Sequence, residues 1–114
     1  MSTDAGAVAD TYFRAWKDKD FETLRSIIGD SATFRGPLGT ADSGEECVAG
    51  LDHMSAMVSD IVVLKRWVDG PDVITWFDLH THDAPPVPTV NWSHVEDGRI
   101  TRIRVTFDPR PLTS

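Results

Sequence analysis

YFRAWKDKDFETLRSIIGDSATFRGPLGTADSGEECV, residues Tyr12 to Val48, is the segment that decides the fold. It contains the end of one helix, a second short helix, a strand, a Gly-Pro turn and the start of a third helix. Val8, Tyr12 and Trp16 recur every four residues with Ala9 and Phe13 beside them, which predicts a helix from about Asp4 to Lys17. Ser2, Thr3 or Asp4 supplies its cap. The polar Asp18-Lys19-Asp20 breaks it. Asp20 then caps a second helix, whose Phe21, Leu24, Ile27 and Ile28 form one apolar stripe, and Gly29 ends it. Ala32 to Arg35 is a short strand, and Gly36-Pro37 turns the chain. Ser43-Gly44-Glu45-Glu46 is a capping box, with the Ser43 hydroxyl and the Glu46 carboxylate satisfying reciprocal backbone amides. Val48, Leu51, Met54 and Val58 carry this third helix to near Ser59.

After Asp60 the apolar pattern switches to period two and stays there. Strands are expected at Ile61 to Asp69, Val73 to His82, Thr89 to Glu96 and Ile100 to Phe107. Pro85, Pro86 and Pro88 make 83–88 a loop, because proline removes ladder donors. Asp97-Gly98 is a hairpin signal. The order gives an α+β fold: three N-terminal helices packed on a strongly curved antiparallel sheet, shaped as a cone with an open mouth. Such a hollow is a natural small-molecule site.

The chain has 114 residues, which suits one domain over 1–114, and its 40% hydrophobic content is that of an ordinary globular protein. The net charge is −7 with no basic stripe, which argues against nucleic acid as a partner. No apolar run is long enough for a membrane span, and the N-terminus lacks the pattern of a secretory signal. Cys47 is the one cysteine, and a reducing cytoplasm fits it.

Alternation sorts the strand residues into two faces. Val62, Leu64, Val68, Val73, Thr75, Phe77, Leu79, Thr89, Asn91, Ser93, Val95, Ile103, Val105 and Phe107 form the more aliphatic set and are assigned to the concave, helix-covered face. Arg66 falls on that face too and fits it poorly, which places it at the mouth or beside a bulge. The opposite face carries Trp67, Trp76 and Trp92 with charged and imidazole groups. Three tryptophans on one exposed face mark an interface, and a homodimer through the outer sheet face is expected.

The segments YFRAWKDKDFETLRSIIGDSATFRGPLGT, SGEECV and VNWSHVEDGRITRIRVTFD are similar to those of the nuclear transport factor 2-like superfamily, in its SnoaL-like and ketosteroid-isomerase-like branch. They cover nearly the whole chain. In ketosteroid-isomerase-like members, an Asp before the turn Pro moves a proton, while a helix-1 Tyr and a buried strand acid form the oxyanion hole. That enzyme is a standard worked case of a carboxylic acid kept neutral by its site. The resemblance maps the Tyr to Tyr12, the buried acid to Asn91 and the base to Gly36, which has no side chain. It implies a small hydrophobic ligand of polyketide, steroid or terpenoid type, and isomerase, cyclase or dehydratase chemistry by acid/base steps with no cofactor.

The pocket is expected to be lined by Tyr12, Trp16, Phe34, Phe77, Asn91 and Phe107. Tyr12 and Asn91 are placed to bind a ligand oxygen. The competing reading makes Tyr12 a core aromatic with a backbone partner. Asp78, His80 and His82 share one strand face, near His94, in a pattern that suits acid/base work or a divalent metal. The face assignment turns them away from the pocket, so no metal is expected, and Asp78 and His80 become base candidates only if that assignment fails. Asp108, closing the last strand near the mouth, is a further base candidate. Three classes stay open: an enzyme, a non-catalytic ligand-binding domain, and an interaction module using the tryptophan face.

Overall fold

The structure, a computed structural model, describes residues 4–113. The elements are α1 (Ala5–Lys17), α2 (Phe21–Ile27), β1 (Ile28–Gly36), β2 (Gly39–Ala41), α3 (Gly44–Ser55), β3 (Val58–Asp69), β4 (Asp72–Thr81), β5 (Val87–Glu96), β6 (Arg99–Thr106) and α4 (Arg110–Thr113). Asp4 caps α1, its carboxylate accepting from the Ala7 amide at 3.2 Å; Ser2 and Thr3 lie outside the described residues. Asp20 caps α2 in the same way through Thr23. At α3 the Ser43 hydroxyl accepts from the Glu46 amide at 3.1 Å, but the Glu46 carboxylate reaches one residue further back, to the Asp42 amide at 3.2 Å.

Two helix ends differ from the sequence reading. Gly29 does not end α2. The helix passes straight into β1, because Ile28 is already extended (φ −107°, ψ 125°) and fully buried, closing the helix stripe and opening the strand at once. Helix α3 stops at Ser55, so Val58 belongs to β3. The end of α1 is a Schellman motif: Lys19 N–H donates to Trp16 C=O at 3.1 Å and Asp20 N–H to Ala15 C=O at 2.8 Å. Its left-handed position is held by Lys19 (φ 58°), where glycine is the usual occupant.

The sheet has six strands in the order β2-β1-β6-β5-β4-β3. Every neighbouring pair is antiparallel except β1 and β6, which run parallel. The four expected strands are therefore joined by a lengthened β1 and by β2, whose three residues are too short to leave a periodic signal. Asp97 (φ 52°) and Gly98 (φ 77°) make the tight turn between β5 and β6, as that pair predicts. Pro88 lies inside β5, not in the preceding loop. Pairing with β6 begins only at Val90, so one edge of β5 is free at Pro88, a setting that tolerates proline.

Helices α1, α2 and α3 cover the concave face. Phe13 and Trp16 pack edge-on to Phe77, with ring centroids 5.0 and 6.3 Å away. Along β4 and β5 burial alternates strictly: Val73, Thr75, Phe77 and Leu79, then Val87, Thr89, Asn91, Ser93 and Val95, are all buried. The face assignment holds there and for Ile103.

It fails in the first half of β3. Val63 pairs with Phe77 and Lys65 with Trp76, so Leu64 is an extra residue and the phase changes across it. Ile61 and Val63 share the face of Leu79 and Phe77, while Val62 lies opposite with Asp78. Leu64 and Val68 are 55% exposed, so neither is core. Beyond the bulge, Arg66 does lie on the concave face. Its Nε donates to Thr75 Oγ1 at 3.1 Å, and its guanidinium stacks 5.5 Å from the Phe13 ring.

On the convex face Asp72 ties two strands together. Its carboxylate accepts from Trp92 Nε1 at 2.9 Å and contacts His94 Nδ1 at 2.8 Å. The His94 bond, then the Trp92 bond, holds the Asp72 carboxyl below the usual carboxylate range. A depressed acid stabilises the fold above its unfolded pKa of about 4 and loses that contribution as pH falls through the folded value. Asp72→Asn should therefore lower the melting temperature at pH 7, and the gap to wild type should narrow as the pH is taken below about 4. A gap that stays constant from pH 7 to pH 3 would contradict this role.

Candidate functional site

The hollow of the sheet, roofed by α1 and α3, encloses a cavity of about 300 Å³. Helix spacing puts Tyr12 and Trp16 on the inward side of α1, one turn apart. Strand alternation brings Phe77 and Asn91 up from the floor, and Phe34 and Phe107 come from the ends of β1 and β6. All six residues expected to line the pocket do so. The rest of the wall is mostly apolar, including Leu51, Met54, Leu79 and Val105.

One polar relay crosses this apolar space. Ser93 Oγ donates to Asn91 Oδ1 at 2.7 Å. With its oxygen so occupied, the Asn91 amide NH2 is the group left to interact with the Tyr12 phenol. Burial is the main influence on Tyr12 and pushes its pKa well up; nearby Cys47 adds to this and the Asn91 bond offsets part of it. Tyr12 is thus a neutral hydrogen-bond donor. The Cys47 thiol is pushed up to about 11, first by burial and then by Glu46, and its Sγ faces Ala32 C=O at 3.7 Å. A thiol held protonated in this way is a poor nucleophile.

Gly36 lines the same cavity. A Cβ built there would stand 3.0 Å from Phe34 Cε1 and 3.6 Å from Val105 Cβ. A side chain at position 36 would therefore press on the edge of the Phe34 ring, which must give by a few tenths of an ångström to admit it.

The other acid/base candidates lie elsewhere. Asp78 and His80 pair with Val62 and Asp60 on the convex side and do not line the cavity. Asp108 is exposed beyond β6, where Arg110 clamps it with contacts of 2.6 to 3.0 Å and draws its carboxyl down to about 2. An acid so fixed is a weak base. His94 is bound to Asp72, and His82 lines a separate, smaller cavity. Among the described residues no group of three or more His, Cys, Asp or Glu is placed to hold a metal ion.

Besides Cys47, two titratable residues that the sequence reading did not nominate line the cavity: Glu46, which it took only as a cap, and His53, both on α3. Positions 46, 50 and 53 follow helical spacing along α3 and line the cavity, with Met57 just beyond the helix end. The apolar stripe Val48, Leu51, Met54 had drawn attention one position round the helix. In the structure a Cβ at Gly50 would meet nothing within 4 Å, so this face looks into open space; in the sequence its one mark is the glycine itself, between Glu46 and His53.

The SnoaL-like domain model matches residues 9–103. A solved protein from Kribbella flavida is 30% identical, with a TM-score of 0.90, and the match covers 97% of this chain and 92% of that one. An NTF2-like protein from Cytophaga hutchinsonii has a TM-score of 0.88 at 24% identity, covering 100% of this chain and 98% of its own. An LEH-like epoxide hydrolase from M. tuberculosis has a TM-score of 0.80 at 22% identity, over 94% and 84% of the two chains. No curated protein matches the sequence.

Gly36→Asp should not simply install the missing carboxylate. Crowding of this kind costs about 1–3 kcal/mol, so the variant should melt at lower temperature, and adding Phe34→Ala should recover part of the loss. A Gly36→Asp protein as stable as wild type would mean that Phe34 does not crowd the site.

Proposed function

The chain belongs to the SnoaL-like domain family, and on that premise we propose that its cavity holds one small, largely apolar molecule by an oxygen atom at Tyr12. The observation that carries this reading is the Tyr12 phenol, buried and kept neutral, which lines the apolar cavity together with Asn91. Apolar walls supply the affinity and one donor fixes the orientation, the usual division of labour in small-molecule sites. The ligand class is that implied by the resemblance: a polyketide-, steroid- or terpenoid-like compound carrying a carbonyl or hydroxyl. Cys47, a buried thiol, suits a protein that works in the cytoplasm.

A second reading is favoured by Glu46 and His53. With a carbonyl polarised at Tyr12, an imidazole or carboxylate at the cavity wall could move a proton, as a cofactor-free isomerase, cyclase or dehydratase requires. The M. tuberculosis neighbour is an epoxide hydrolase, and epoxide opening also needs an acid and a base beside the ligand. Asp78, His80 and Asp108 have no role in either version.

The convex face gives a third element of the proposal. Trp67, Trp76 and Trp92 are 47%, 42% and 43% exposed on one side of the sheet. Apolar area of this kind is normally covered, and two copies packed sheet to sheet would cover it.

Two experiments test these statements. In thermal-shift and titration assays against steroids, aromatic polyketides and terpene epoxides, Tyr12→Phe should weaken the best ligand by about 2- to 10-fold, the worth of one hydrogen bond. An unchanged affinity would remove Tyr12 as the anchor. By sedimentation, Trp76→Ala should weaken the dimer by about 30-fold or more if it is an interface hot spot, with ligand binding retained. A Trp76→Ala protein that stays a tight dimer would rule out the sheet-to-sheet arrangement.

A further inference from the structure

The large cavity is closed at one end and open at the other. Tyr12, Phe77 and Asn91, on its inner wall, are buried. Its exposed lining comes from two places. One is the β1–β2 hairpin, from Pro37 to Thr40. The other is the outer side of α3 and the residue just beyond it, at Glu46, Gly50, His53 and Met57. Helix α3 packs against both β1 and β2. A molecule that binds at Tyr12 therefore passes between α3 and the hairpin.

Gly50 stands near the middle of α3, where glycine makes a helix less stable than alanine does. Packing within the chain does not call for it. On the same helix Gly44 is required, because a Cβ there would stand 2.5 Å from Gly29 C=O. At Gly6, Gly29 and Gly36 a Cβ would meet a neighbour at 3.0 to 3.4 Å. Gly70 and Gly98 have positive φ, 59° and 77°. Gly39 closes the Pro37-Leu38 turn, a position that favours glycine. At Gly50 the backbone is helical and a Cβ would meet nothing within 4 Å. Gly50 lines the cavity and is exposed, so the room left free there lies at the mouth, between Glu46 one turn before and His53 one turn after.

We infer that the entrance to the cavity lies between α3 and the β1–β2 hairpin, and that Gly50, by lacking a side chain, sets the width of the molecule admitted. Gly50 is then a specificity residue that acts on entry and not on the bound state. This rests on the reading of the cavity as a binding site, and it adds the route into that site and the residue that limits it.

Cys47 makes the entrance measurable without a ligand. It is the one cysteine of the chain, it is 2% exposed, and it lines the cavity. The probes are methyl and benzyl methanethiosulfonate, one narrow and one as wide as a ring. In each case the Cys47 thiolate attacks the divalent sulfur, a disulfide forms and methanesulfinate leaves. Rates are followed by mass spectrometry on wild type, Gly50→Ala, Gly50→Leu and Gly50→Gln, with melting curves alongside. Gly50→Ala should melt about 2–5 °C higher than wild type and leave both rates near the wild-type values. Gly50→Leu and Gly50→Gln should slow the benzyl reagent about tenfold or more, the rate equivalent of crowding by a bulky side chain, and the methyl reagent far less. Two long side chains keep the test open if one of them impairs folding. Equal slowing of both reagents, or slowing by Gly50→Ala as large as by Gly50→Leu, would mean that Cys47 is reached by fraying of α3. Unchanged benzyl rates in the long-chain variants would mean that entry lies elsewhere, and a wild type inert to the benzyl reagent would mean that no entrance of that width exists. Any of these overturns the proposal. None of them bears on the Tyr12 anchor, whose own test is the titration of Tyr12→Phe.

Discussion

A phenol buried at the centre of an apolar cone needs a hydrogen-bond partner, and meeting that need ties the helices to the sheet. Tyr12 is 1% exposed on α1, and its partner Asn91 is 1% exposed on β5. Asn91 in turn is held by Ser93, its neighbour on the same face of the same strand. Around this pair the apolar face of α1, with Val8, Ala9, Phe13 and Trp16, is buried against the sheet. Phe13 and Trp16 are then carried against Phe77, and the aromatic cluster closes the floor of the cavity. Tyr12 also lines the cavity, so packing and the proposed binding site share one residue.

The parts of this arrangement set by simple periodicity were legible in the sequence. Four-residue spacing placed Tyr12 and Trp16 together on one side of a helix, and two-residue spacing placed Phe77 and Asn91 on one side of a sheet. The parts set by irregularity were not. An inserted residue such as Leu64 reverses the alternation without leaving a mark in the apolar pattern, so Val62 was assigned to the wrong face. Ile28 serves a helix and a strand at once, which hid the start of β1 and made Gly29 look like a helix end. On α3 the apolar stripe pointed at the core, while the cavity lies slightly round the helix, toward Gly50 and His53. The empty position at Gly36 was visible as a missing carboxylate, but the closeness of the Phe34 ring to it belongs to the folded structure.

The site sits between binding and catalysis in physical terms. Its deepest polar groups, Tyr12 and Cys47, are both pushed by burial toward their neutral forms. They can orient or polarise a ligand but are poorly suited to taking a proton from it. Glu46 and His53 lie on the more exposed side of α3. Charge is thus kept at the edges of the hollow, and the centre offers a single neutral donor. This distribution favours a ligand that is apolar in the middle and polar at its ends.

The central claim, that Tyr12 is a neutral donor locked into a dry relay, can be read directly because the chain contains one tyrosine. Alkaline titration of the native protein, followed by tyrosinate absorbance with circular dichroism recorded alongside, reports on Tyr12 alone. The account predicts no tyrosinate near the ordinary value of about 10, with ionisation appearing only well above it or together with unfolding. A phenol that titrates near 10 while the fold stays intact would mean that Tyr12 is open to water, and the anchor would be lost.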